Sequence, residues 1–83
     1  MNKETLERIF EYASVPVHGT LSRKLRKGVK LQVNEGRAYE NGVIFMGDGF
    51  VRITEQIENE TYNTYLRMDA IGSVRTIGKS EES

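Results

Sequence analysis

Between Gly19 and Lys30 the chain carries five cations, Arg23, Lys24, Arg26, Lys27 and Lys30, and no acid. Guanidinium and ammonium groups at that density can neutralise phosphates, and the rings of Tyr39, Phe50, Tyr62 and Tyr65 offer flat faces on which unpaired bases can stack. Arg52, two residues beyond Phe50, joins the candidate phosphate contacts. The same charges also suit the solvated side of a short amphipathic helix, and the same rings suit core or cross-strand packing, so a protein-interaction surface is the competing reading.

Catalytic chemistry finds less support. His18 is the only histidine, and the sequence shows no carboxylate or serine motif that would pair with it as base and nucleophile. Asp48 and Asp69 fall in turn contexts, where a carboxylate commonly hydrogen-bonds the local backbone. Gly47-Asp48-Gly49 lacks the lysine and the helix that follow a phosphate-cradling loop. The chain has no cysteine, which closes the thiolate metal site, the disulfide and the thiol nucleophile together. The expectation is a binding protein, not an enzyme, with no catalytic residue, no metal and no cofactor.

Those residues must be positioned by a single small domain, since 83 residues suffice for one core and not for two. With 37% apolar and 29% charged residues the core will be thin, so association with further copies is expected to add stability. Twelve basic and twelve acidic side chains cancel, yet the molecule is polarised, with cations at Gly19–Lys30 and Glu81 and Glu82 at the far end. The first residues, Met1-Asn2-Lys3-Glu4-Thr5, are interrupted by charge and form no membrane or signal segment, so a cytoplasmic protein with no membrane contact is expected.

Leu6, Ile9, Phe10 and Ala13 recur at helical spacing and predict a helix from about Lys3 to Ala13, capped by Asn2 and ended by Pro16. Val17–Lys27 fits a turn of helix better than a strand: Thr20 can cap it, Leu21 and Leu25 share a face, and Gly28 can terminate it. From Val29 the period changes to two, with Val29, Leu31 and Val33 on one face. Asn34-Glu35-Gly36 reads as a hairpin loop with the positive φ at glycine. A second strand follows from about Arg37 to Met46, buried on both sides in its later half and bent near Asn41-Gly42. The Gly47–Gly49 turn leads to a third strand through Val51, Ile53 and Ile57. After a polar loop at Glu58–Thr61 come a fourth strand (Tyr62, Thr64, Leu66, Met68), a turn at Asp69-Ala70 and a short fifth strand from Ser73 to Ile77. The expected fold class is α+β but mainly β: a helix followed by a strongly bent five-stranded antiparallel sheet or small barrel over residues 1–78, with a disordered tail at 79–83.

Three strings then resemble the Sm-like proteins, Hfq included, over about residues 25–78. Val29-Lys-Leu-Gln-Val-Asn-Glu-Gly36-Arg-Ala-Tyr-Glu is similar to that family's first hairpin. Asp48-Gly-Phe50-Val-Arg-Ile53 is similar to its acidic turn, spacer, aromatic residue and apolar strand. Met68-Asp-Ala-Ile-Gly-Ser-Val74 is similar to the closing segment of Hfq. The resemblance implies a helix capping a bent five-stranded barrel, the fourth strand of one copy pairing with the fifth of the next to form a ring, and single-stranded RNA bound around the pore. It further implies that Phe50 stacks a base, that Asp48 supports its loop, and that Met68 and Asp69 stand where the family presents RNA-contacting side chains. With the phosphate contacts Arg23, Lys24, Arg26, Lys27 and Arg52, these form the expected RNA site. A self-assembly or protein-interaction module on the same barrel, without nucleic-acid binding, is the alternative.

Overall fold

In the computed structural model, which describes residues 1–78, Asn2 caps the helix α1 (Lys3–Ala13) by accepting a hydrogen bond from the Thr5 N–H at 2.8 Å. The expected tail at 79–83 lies outside the described residues. Leu6, Phe10 and Ala13 are buried along the helix's apolar stripe. Ser14 is already extended and opens β1 (Ser14–Pro16), so the helix stops before the proline reaches it.

The segment expected as a turn of helix contains a strand, β2 (Arg23–Leu25), which pairs antiparallel with β1. Leu21 is 88% exposed, so no second apolar helix face exists to bury. Thr20 caps no helix either; its hydroxyl donates to the Val17 carbonyl and accepts from the Ser22 N–H, both at 3.0 Å, which tightens the turn into β2. The remaining strands are β3 (Lys30–Val33), β4 (Ala38–Glu40), β5 (Val43–Met46), β6 (Phe50–Ile57), β7 (Glu60–Arg67) and β8 (Val74–Ile77), with a short 3-10 turn at Met68–Ala70. They form two antiparallel sheets, one ordered β1-β2-β5-β6-β7 and the other β4-β3-β8.

Two causes raise the strand count above the expected five. The 14–25 hairpin adds two strands, because β2 takes the side of β5 that β6 leaves open. The expected single strand Arg37–Met46 divides at Asn41-Gly42: β4 pairs with β3, whereas β5 crosses to β2 and β6. Asn41 turns the chain at φ +53°, and a Cβ on Gly42 would lie 3.2 Å from Ile53 Cγ2, so the bend is packed directly against β6. The expected loop at Glu58–Thr61 shrinks to the two residues Glu58-Asn59, with strand pairing continuing to Ile57↔Glu60. At the first hairpin the positive φ falls on Asn34 (+54°), not on Gly36.

One apolar cluster joins both sheets to the helix, drawing Leu6 and Phe10 from α1, Leu31 and Tyr39 from the smaller sheet, Ile44, Val51 and Ile53 from the larger, and Met68 and Ile71 from the segment between them. Arg37 spans the sheets on the polar side. Its guanidinium donates to both carboxylate oxygens of Glu55 (2.6 and 3.3 Å), a residue only 5% exposed, while lying 4.8 Å over the Tyr39 ring. That hydrogen bonding, reinforced by the carboxylate's charge and opposed by partial desolvation, raises the Arg37 pKa above its ordinary value. Asn34 is a second tie: its amide donates to the Ala70 carbonyl (3.0 Å) and its oxygen accepts from the Gly72 and Ser73 N–H groups (2.8 and 3.2 Å). Among the described residues no helix is long and apolar enough to cross a membrane.

Candidate nucleic-acid interface

Strand alternation sorts β6 into two faces. Val51, Ile53 and Glu55 are buried, which turns Phe50, Arg52 and Thr54 outward, each half-buried by its neighbours. The register then fixes what stands beside them. Arg52 lies opposite Phe45 on β5 and Tyr65 on β7, giving the row Phe45–Arg52–Tyr65, and Phe50 lies opposite Arg67. Thr54 continues through Val43 to Lys24 on β2, so Lys24 shares this face.

The rings form a contiguous group. The Phe50 centroid is 6.4 Å from that of Phe45 and 6.0 Å from that of Tyr65, both tilted, and the Arg52 guanidinium sits 4.9 Å over the Phe45 ring. Tyr65 is 62% exposed and presents an open ring to solvent. Arg52 Nε is buried with no hydrogen-bond partner among the described residues, so ring packing alone holds this part of the guanidinium. Beneath Phe50, the missing side chain of Gly47 leaves the ring its place: a Cβ there would lie 2.3 Å from two ring carbons. The turn itself is closed by the backbone, the Gly47 N–H donating to the Phe50 carbonyl at 2.8 Å, with Asp48 exposed at its tip.

The expected basic run divides by face. Lys24 lies on the aromatic face and Lys27 is exposed in the following turn. Arg23 and Arg26 serve the helix instead. Arg23 donates to the Ser14 hydroxyl (2.9 Å) and carbonyl (3.1 Å), Ser14 in turn donates to the Phe10 carbonyl, and Arg26 donates to the Tyr12 carbonyl at 3.0 Å. These groups satisfy carbonyls that the end of α1 leaves without intrahelical partners, where a cation also complements the helix dipole.

Met68 is buried in the core, and Asp69 holds Arg67 at 2.7 Å. Both border a shallow depression of about 500 Å³, lined also by Lys3, Gly49 and Arg67, at the Phe50 end of the sheet. Asp48, Phe50, Met68 and Asp69 thus gather at one end, where Arg67 joins them to the aromatic face. Tyr39 is buried beneath Arg37, and Tyr62 lies opposite Glu55 on the other side of β7, so neither ring reaches the group. Sequence reasoning missed Phe45, expecting it in a doubly buried strand, and missed Arg67. Only the pairing of β5, β6 and β7 brings them to the same surface; the sequence signal was the period of two shared by Val43 and Phe45 and by Tyr65 and Arg67.

No family model matches the chain, and no match was found among curated proteins or among solved structures.

Proposed function

We propose that this protein binds single-stranded RNA as an Sm-like, ring-forming protein, with Phe50 stacking a base beside Arg52. The observation that carries the reading is the cluster Phe45–Phe50–Arg52–Tyr65, an exposed sheet face of rings and cations on which none of the alternating outward residues of β2, β5, β6 and β7 is acidic. Lys24 extends its positive charge across β5, and Asp48, Met68 and Asp69 frame the end at which Phe50 stands.

In this reading the two sheets are parts of one strongly bent, barrel-like sheet. The chain's passage from β4 directly into β5, the shared core and the Arg37–Glu55 bridge support that curvature. The edges support head-to-tail assembly. β1 is blocked by Pro16 and β4 has only three residues, whereas β7 offers eight and β8 four on their unpaired sides. Pairing two unlike edges, β7 of one copy with β8 of the next, is a heterologous contact that closes into a ring when the rotation permits.

The test is fluorescence anisotropy of labelled poly-U and poly-A across a salt series, with the mass of the oligomer determined on the same sample. Micromolar binding that weakens with salt and is lost in Phe50→Ala is the expected result. A second reading, an assembly module without nucleic-acid affinity, is favoured by the exposed Tyr62 and Ile77 on the two strands with open edges, β7 and β8. A folded oligomer that binds neither polymer at low salt selects it.

A further inference from the structure

Resting on the RNA-binding reading, we infer that the Phe45–Arg52–Tyr65 row together with Phe50 is a sugar-blind and base-tolerant platform, which takes single-stranded DNA as readily as RNA. The face supplies ring planes and positive charge and little else. Every base has a π-face and every nucleotide a phosphate, so these two groups recognise what all single strands share.

Discrimination would need hydrogen-bonding groups aimed at a 2′-hydroxyl or a base edge. The polar side chains of this face are turned towards each other instead. Thr54 donates to Asn63 at 2.6 Å, and Gln56 and Thr61 bond mutually at 2.9 and 3.2 Å. Both pairs stand further along β6 and β7, past the rings. Arg52 is donor-only and is held over Phe45, which suits it to phosphate. Ring separations of 6.0 and 6.4 Å at tilts of 46° and 52° are those of rings packed against one another, and one face of Phe45 is covered by Arg52, so the group sets out no ladder of fixed base sites that could select a sequence by spacing. A duplex, with its bases paired and stacked, offers the rings no free face.

The experiment compares oligo(U) with oligo(dU), and oligo(A) with oligo(dA), each about 15 nucleotides long, on the same protein, with a self-complementary duplex as control. Affinities within about threefold across the four single strands, and at least tenfold weaker duplex binding, are expected. Tyr65→Ala should weaken all four by about tenfold or more, and Tyr65→Phe should restore them, because the ring and not the hydroxyl makes the contact. Tyr65 is exposed enough for both variants to fold, which circular dichroism checks. Lys24, Arg52 and Arg67 set the slope of log affinity against log salt at about −2 for a single strand. RNA bound at least tenfold more tightly than DNA, or affinity for both that Tyr65→Ala leaves untouched, would overturn the platform while leaving RNA binding in place. Binding of neither overturns both.

Discussion

Gly47 shows how a single hydrogen atom positions a ring. Phe50 occupies the space that any larger side chain at 47 would need, so Gly47→Ala must swing the ring away from its place between Phe45 and Tyr65. The clash is with the far end of a side chain that can move, so the fold should survive. On the proposal that this face binds RNA, the expected outcome is affinity reduced nearly as far as in Phe50→Ala, with a melting temperature close to that of the parent, measured by anisotropy and calorimetry. Arg37 offers the opposite case, a residue whose loss is felt in stability. Without it the buried Glu55 carboxylate has no side-chain partner among the described residues, and Arg37→Ala should cost about 1–3 kcal/mol in urea denaturation, partly recovered by adding Glu55→Gln. Because the folded state raises the Arg37 pKa, its contribution is complete below the unfolded value and is lost only as pH rises through the folded one, so the cost should be constant across the neutral range. Phe50 could be picked out from sequence as one of four aromatic rings and through the Sm-like resemblance, and Arg52 as the cation two residues beyond it. The neighbours that complete the group could not, since a cross-strand register is a property of several segments at once.

Among the elements, α1 was legible down to its cap because its periodicity, Asn2 and the apolar stripe all agree. The 17–27 segment was not, since the Leu21–Leu25 spacing is compatible with a helix while the open side of β5 favours a strand. That strand brings Arg23 to the end of the helix, and much of the basic run is therefore architectural. Arg23→Met should free the Ser14 carbonyl and hydroxyl and lower stability by about 1–2 kcal/mol, with fraying of α1 seen by hydrogen exchange. Asn34 ties the 68–73 segment to the first hairpin through three side-chain hydrogen bonds. Asn34→Gly keeps the left-handed backbone and loses only those bonds, whereas Asn34→Ala also strains φ, so the alanine variant should be the less stable of the two. Faster amide exchange at Gly72 and Ser73 in both variants would mark the lost ties.

At the scale of the whole molecule, two sheets share one core while their open edges differ in length and position. If β7 of one copy pairs with β8 of another, Ile77→Lys should place a charge beside that contact and shift sedimentation towards the monomer without altering the helix content. An unchanged mass would count against edge pairing. The antiparallel meander β5-β6-β7 was readable from sequence because its turns are local; the partnership of β3 with β8 was not, since it joins residues more than forty positions apart. That separation also orders events in time. The local hairpins can zip early, whereas β8 must wait for the rest of the chain to bring β3 within reach, and it is the strand that can leave with the five-stranded sheet intact. A departing β8 uncovers an edge on β3 that fits the same strand from another molecule equally well, so this long-range pairing is also a point at which two chains can exchange a piece of themselves.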